Sequence, residues 1–358
     1  MNILSGYIVK EVLKGSAIAI ILLLTLFNLF TFSDELKDLG KGNYGIKEIF
    51  LYLAFTSPRV FYELIPSAAL LGSLFVVGSM ANNREIVAMR AAGASIFWVI
   101  KSVMQAGAII VIIALLVGEF IAPDAERKAR ILKTTAQNNE IVMHSKSGLW
   151  LKEGNQFINV RKIPRKGELA DIYIYEVDGH NHLFAVKKID NATFSENNLW
   201  KMTGVIKSEI AASQILSSSF PTQAWNTSID PDLLNIVVVD SENMSLYDLF
   251  MYIDFLKRND QKTQSFELAF WSRLINPFIT FVMLMISIPF VVGVQRGMST
   301  GGRMMIGGII GMTFNIFDKI AGYVGLVYGY DPMIMAVLPS TIVFLSALYA
   351  VKKTVAAS

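Results

Sequence analysis

Apolar residues follow two patterns along this chain. In the first and last thirds they run almost unbroken for about the 20 residues that a helix needs to cross a bilayer. Residues 16–33 (SAIAIILLLTLFNLFTFS) carry no charge and are bracketed by Lys14 and Asp34. Runs at 64–81 and 102–118 follow. Near the C-terminal end, 274–295 lies between Arg273 and Arg296, 304–330 is interrupted by Asp318 and Lys319, and 332–351 lies between Asp331 and Lys352. These runs predict six transmembrane helices. Pro66, Pro277, Pro289 and Pro339 fall inside them, and packed helices in lipid tolerate such breaks because neighbours satisfy the freed backbone groups. The first run is too long for a cleavable signal peptide and has no small-residue cleavage site after it, so it reads as a retained span.

The stretch from about 122 to 265 changes period. It is polar, with short alternating segments separated by turn residues. GLWLKEGNQFINVRKI predicts a hairpin turning at Gly154-Asn155, and DIYIYEVDGHNHLFAVKKI another near Asp178-Gly179. ATFSENNLWKMTGVIKSEI predicts a third, turning at Glu196-Asn197-Asn198. Consecutive hairpins at this spacing indicate a small sandwich or jelly roll. Residues 245–259 (SLYDLFMYIDFLKRN) read as an amphipathic helix with Ser245 as N-cap and Asp248 three residues on. The expected fold is an α-helical membrane protein with an inserted all-β, jelly-roll-like domain. Its divisions are 1–121 for spans one to three, 122–265 for the β-domain and returning helix, and 266–358 for spans four to six.

Composition agrees. Of 358 residues 53% are hydrophobic and 17% charged, against about 25% charged in ordinary soluble domains. The net charge of +3 makes no case for nucleic acid. The absence of cysteine excludes disulfides and thiolate metal sites. Where the charges fall matters more. An N-terminus inside places Lys10, Lys14, Arg84, Arg90, Lys101, Arg296, Arg303, Lys352 and Lys353 on the cytoplasmic side. The lysines of the opposite short loops, Lys37, Lys41 and Lys47, are offset by Asp34, Glu35, Asp38 and Glu48. Both termini are then expected inside and the β-domain outside.

Candidate chemistry is sparse. The sequence offers no catalytic constellation and no GxxxxGK[ST] phosphate loop, so ATP would have to be bound by another chain. His144, His180 and His182 are the only histidines, and His180-x-His182 reads as solvated turn residues because no third ligand lies nearby. Asn191-Ala192-Thr193 and Asn226-Thr227-Ser228 match a glycosylation pattern too short to weigh. Between spans two and three, ANNREIVAMRAAGAS predicts a short helix over about 82–94, capped by Asn82 or Asn83 and ended by Gly93. It would display Ile86, Val87, Met89 and Arg90 at the membrane face, either to lipid headgroups or to a docking partner. Lys37 and Lys41 lie one turn apart after span one, and Arg127, Lys128, Arg130 and Lys133 follow span three. Basic clusters at that depth suit anionic headgroups or phosphates, although interfacial lysines also snorkel without binding anything. Asp318 within a span marks a possible functional position, and Gly307-x-x-x-Gly311 permits close helix approach within the chain or to a second protein.

The order of these pieces, three spans, a β-domain and three spans, resembles the LptF/LptG permease family. Strings similar to that family are Asp34-x-Leu36-Lys37 with Gly40-x-Gly42-x-Tyr44, then Pro66-x-Ala68-Ala69-Leu70-Leu71-Gly72. Others are Gly118-Glu119-x-x-Ala122-Pro123, Gly148-Leu149-Trp150, Gly154-Asn155-x-Phe157, Trp271-Ser272, Asp318-x-Ile320-x-Gly322 and Leu326-Val327-Tyr328-Gly329. The strings at 34–44 and 326–329 favour the LptG branch over LptF. The resemblance implies a permease subunit of the lipopolysaccharide exporter in the bacterial inner membrane. It would pair with an LptF-type permease, dock a dimeric LptB-type ATPase that holds ATP and Mg, and be regulated by LptC. Lipopolysaccharide would pass to a periplasmic bridge of jelly rolls. The resemblance places Lys37, Arg130 and Lys133 near the lipid's phosphates, and Asp34 and Lys41 flank them. It makes Arg84, Glu85, Met89, Arg90 and Gly93 the ATPase-coupling segment. Position 38 is Asp where some relatives carry a second lysine. Apolar alternation in Leu149-x-Leu151 and Ile172-x-Ile174 would line a slot for acyl chains, with Phe157 and Ile174 as inward contacts.

Two readings of other classes compete: a membrane-anchored scaffold or signalling protein whose β-domain binds a partner, and an intramembrane lipid-modifying hydrolase. The hydrolase needs an acid, base or nucleophile set within the spans, and the sequence offers none.

Overall fold

The computed structural model describes residues 2–137, 149–165, 167–179, 182–194, 199–210, 214–225, 227, 241–259, 261–292 and 300–356. Among them are nine α-helices and six strands. Six helices are long and apolar enough to cross a membrane. The expected α-helical membrane protein with an inserted β-domain is therefore present. Residues fall into two compact units: one of 1–36, 53–125 and 264–358, the other of 37–52 and 126–263.

The first unit is helical. Helices α1 (Asn2–Glu35) and α2 (Ile46–Asn82) are followed by the short α3 (Glu85–Ala91) and by α4 (Ile96–Leu116). Its remaining helices are α7 (Gln264–Val292), α8 (Thr300–Tyr328) and α9 (Pro332–Ala356), while most of α5 (Ala122–Ala136) and all of α6 (Leu246–Arg258) belong to the second unit. At 37 residues, α2 would be about 56 Å long, well beyond a hydrocarbon core of about 30 Å. The core joins Ile8 and Val12 of α1, Ala68, Ala69 and Val77 of α2, Val103 and Ala106 of α4, and Leu284 of α7. A second cluster packs Leu70 and Leu74 against Met283, Phe314 and Ala347. Small residues set two of the contacts. A Cβ added to Gly72 would stand 2.6 Å from the Gly15 carbonyl carbon, so α1 and α2 meet backbone to backbone. A Cβ on Gly311 would stand 3.4 Å from Ser67 Oγ, and Asn315 Nδ2 donates to the same hydroxyl at 3.3 Å. The Gly307–Gly311 face thus packs within the chain against α2, while Gly308 meets nothing within 4 Å.

Between α4 and α5 the helix widens to a π turn, Val117–Ile121. Such a turn inserts a residue and disrupts the regular carbonyl ladder. The buried guanidinium of Arg273 donates to the Gly118 carbonyl, lies 3.4 Å from Glu119 Oε2 and sits 5.1 Å from the Tyr62 ring centroid. Tyr62 in turn donates its hydroxyl to the Arg273 carbonyl at 3.3 Å. Three helices are fastened at one point.

The second unit holds a six-stranded antiparallel sheet in sequential order: β1 (Leu149–Glu153), β2 (Gln156–Arg165), β3 (Glu168–Val177), β4 (Leu183–Phe194), β5 (Trp200–Ile210) and β6 (Ile215–Trp225). The first two expected hairpins form. Gly154, at φ +57°, turns β1 into β2, and Asp178 accepts from the His182 amide at the β3–β4 turn. The third turn lies outside the described residues, but Phe194 pairs with Trp200 across it. The sixth strand was not legible in the sequence, since Ser217, Ser218, Ser219 and Pro221 break its alternation. Among the described strands the arrangement is a meander in one sheet.

One face of that sheet buries Ile158, Val160, Ile172, Ile174, Ile189 and Val205, with Phe255 of α6 packed against the cluster. Alternation slips at the same place in four strands. The buried positions are Val160 and Ile163 in β2, Leu169 and Ile172 in β3, Ile189 and Ala192 in β4, and Met202 and Val205 in β5. Each pair is three apart, where a flat strand would place them two apart. Asp171 at φ +50° and Gly204 at φ +68° lie on this line. The result is a crease across the sheet, the local bend and twist that a bulge introduces. Ser245 caps α6 as expected, accepting from the Asp248 amide at 3.0 Å.

Candidate functional site

The basic site is built from the 37–52 segment and α5. Leu36–Asp38 make a 3-10 turn after α1, and Gly40 (φ +84°) and Gly42 (φ +59°) carry the chain through a tight loop. Both glycines occupy backbone conformations that side chains disfavour. The loop is held to the end of α5 by the Asn43 amide donating to the Ala136 carbonyl at 2.6 Å. Tyr44 is buried beneath it.

The Asp38 carboxylate stands at the centre. One oxygen takes Lys41 Nζ at 2.6 Å and the other takes Lys133 Nζ at 3.0 Å. The Lys133 ammonium also lies 5.2 Å from the Tyr52 ring centroid and 5.9 Å from that of Tyr44, within cation–π range. Arg130, one turn earlier on α5, lies 3.7 Å from the buried Glu126 carboxylate. Arg127 reaches Asp248 of α6 at 3.8 Å. Lys37 and Asp34 are exposed. Of the expected lipid contacts, Lys41 and Lys133 are thus brought together, with Arg130 on the same helix as Lys133. The sequence reading missed the centre of the group. Along the chain Asp38 stands out only as one of the acids offsetting the loop lysines, although its three-residue spacing from Lys41 is the usual spacing of a helical ion pair.

Phe157 and Ile174 do not share a face. Register pairs Ile158 with Ile174 and Phe157 with Tyr175. Ile174 is 1% exposed in the buried cluster, and Phe157 points the opposite way because side chains alternate along a strand. At the far end the buried face turns polar. Glu176 accepts from Gln156 at 3.1 Å and pairs with Lys187 at 2.7 Å, and Lys207 pairs with Glu209. The Lys207–Glu209 hydrogen bond holds the lysine above and the glutamate below their ordinary pKa values. His182 is largely exposed and hydrogen-bonded into its turn, as a solvated turn residue should be; His144 and His180 lie outside the described residues.

The segment between α2 and α4 forms the expected short helix with two corrections. Neither Asn82 nor Asn83 caps it: α2 runs on through Asn82, and Arg84, at φ +59°, is the N-cap with no side-chain cap bond. Asn83 Nδ2 instead contacts Glu85 at 3.4 Å, and Tyr7 of α1 donates its hydroxyl to Glu85 at 3.1 Å. Ile86 and Met89 are not displayed. Three residues apart, they face the same way and sit in the helical core, 7% exposed each. The outward residues are Arg84, Val87 and Arg90. Gly93, at φ +91°, ends the helix as expected, donating to Arg90, while Ala94 donates to Met89.

The family model described as lipopolysaccharide export system permease LptF/LptG matches residues 6–353. The lipopolysaccharide export system permease protein LptG of Haemophilus influenzae is 31% identical over 95% of both chains. The protein of that name from Escherichia coli K12 is 31% identical over 97% of both. With its six apolar helices and inserted antiparallel sheet, the chain belongs to the LptF/LptG family of lipopolysaccharide export permeases.

Proposed function

We propose that this chain takes lipopolysaccharide from a bacterial inner membrane and passes it to a periplasmic jelly-roll bridge, as the permease subunit of an exporter powered by a separate ATPase. The observation that carries this reading is the pairing of Lys41 and Lys133 on one carboxylate beside two tyrosine rings. A phosphate brings more negative charge and more acceptor oxygens than Asp38 does, so it can take over both ammonium groups. Lys37 and Arg130 supply further cations, and Asp38 acts as the placeholder. The apolar sheet face bearing Ile174 suits acyl chains. Excess lysine and arginine in alternate short loops supports both termini in the cytoplasm and the sheet in the periplasm.

Family membership supports a set of partners. An LptF-type permease completes a heterodimer, an LptB-type ATPase dimer holds ATP and Mg, and LptC regulates the assembly. Arg84, Glu85 and Arg90 form the charged surface on which the ATPase docks, and Gly93 ends it. The LptG name of the relatives favours that branch for this chain.

The test is photo-crosslinking in the assembled complex. A photoreactive residue at Lys37 should capture lipopolysaccharide without ATP, and one at Ile174 only with ATP. Lys133→Glu should reduce both. Capture of protein alone at both positions would favour the scaffold reading.

A further inference from the structure

The sheet face opposite the buried cluster carries an ordered group of rings and cations. Register places Trp150 beside Asn159, Asn159 beside Tyr173, and Tyr173 beside Lys188 in one row across four strands. The next row holds Phe157 and Tyr175. The Trp150 and Tyr175 rings stack with centroids 5.5 Å apart and planes 22° apart, and Tyr173 and Tyr175 lie 6.4 Å and 18° apart. Arg161 lays its guanidinium 4.4 Å above the Tyr173 ring and donates to the buried Asn159 side chain at 3.4 Å. Its remaining charge is partly met by Asp171 at 3.7 Å. The platform is open: Trp150 is 43% exposed, half of the Arg161 side chain is exposed, and Lys188 is exposed.

We propose that this face is a binding platform for the anionic oligosaccharide of the exported lipid, distinct from the Lys41–Lys133 site. The inference rests on the lipopolysaccharide reading above. Two properties select this occupant. Rings stacked in a row turn their edges, hydroxyls and indole N–H toward sugar hydroxyls, and Trp150, 43% exposed, keeps apolar area for the C–H groups of a sugar ring. Arg161 and Lys188 beside them match phosphorylated or acidic sugars, which a neutral glycan or an acyl chain would not require. The two faces of one sheet then sort the two halves of an amphipathic substrate, with acyl chains on the Ile174 side and sugars on the Tyr173 side. Alternation along each strand makes that division automatic.

The experiment uses the assembled complex in detergent and lipid-free oligosaccharide released from lipopolysaccharide by mild acid, read by saturation-transfer NMR, with a neutral maltooligosaccharide as control. Saturable binding of the anionic oligosaccharide is expected. Trp150→Ala and Tyr175→Ala should each weaken it tenfold or more, Trp150→Phe should keep most of it, and the surface change Lys188→Glu should weaken it severalfold without altering thermal unfolding. Absence of saturable binding overturns the proposal. So does equal binding of the neutral control, or binding indifferent to all of these substitutions. Lys133→Glu should leave oligosaccharide binding intact while reducing capture of the whole lipid. If lipid capture ignores Lys133 but the oligosaccharide still binds through Trp150, the phosphate-site reading fails and the platform stands.

Discussion

Lys133 Nζ lies 3.0 Å from Asp38 Oδ2, so the basic helix after the third span is tied to the loop after the first by a carboxylate. A partly exposed pair of this kind contributes about 0–1 kcal/mol to stability. Asp38→Ala should therefore leave thermal unfolding nearly unchanged while freeing Lys41 and Lys133, and lipopolysaccharide crosslinking at Lys37 should rise. Reduced crosslinking in that variant would show that the carboxylate shapes the site and is no placeholder.

The short helix between α2 and α4 puts exposed charges on one side and the buried Ile86 and Met89 on the other within seven residues. Glu85→Lys and Arg90→Glu should reduce copurification of the ATPase and leave the melting temperature unchanged. Met89→Ala removes a buried side chain and should cost about 2–5 kcal/mol. Its signature is a lowered melting temperature, with docking preserved in the fraction that stays folded.

Gly72 and Gly308 make a matched pair. A methyl group at Gly72 meets the backbone of α1, which cannot move aside as a side chain can. Gly72→Ala should destabilise the detergent-solubilised protein by about 1–3 kcal/mol, the range for overpacking. Gly308 has open space around it, so Gly308→Ala should be neutral or stabilising by up to about 1 kcal/mol from helix propensity. Similar melting curves for the two would contradict the close approach of α1 and α2.

Arg273 serves a carbonyl, a carboxylate and a ring together. Arg273→Met leaves the buried Gly118 carbonyl without this donor and takes a cation away from Glu119, and should cost about 1–3 kcal/mol. Arg273→Lys should recover little of this, because a point charge cannot reproduce the planar fork. Adding Glu119→Gln to Arg273→Met should restore part of the lost stability, measured by thermal unfolding.

By itself the sequence determined what depends on neighbours along the chain. Unbroken apolar runs marked the six spans, because a helix in lipid must satisfy its own backbone. Gly154-Asn155 and Asp178-Gly179 marked two hairpins, Ser245 a helix start and Gly93 a helix end, each through local backbone geometry. Tertiary structure decided what depends on residues distant in sequence. Asp38 found Lys133, and Arg273 found the Gly118 carbonyl. Met89 turned inward because its helix lies against the core, and Phe157 and Ile174 parted because register sets each residue's face. No periodicity announced β6, whose serines pair with Ser208, Lys207 and Ile206 of β5 through backbone groups that do not depend on the side chain. Side chains write their preferences locally, but the partner that meets a given charge or fills a given space is fixed only when packing brings distant segments together.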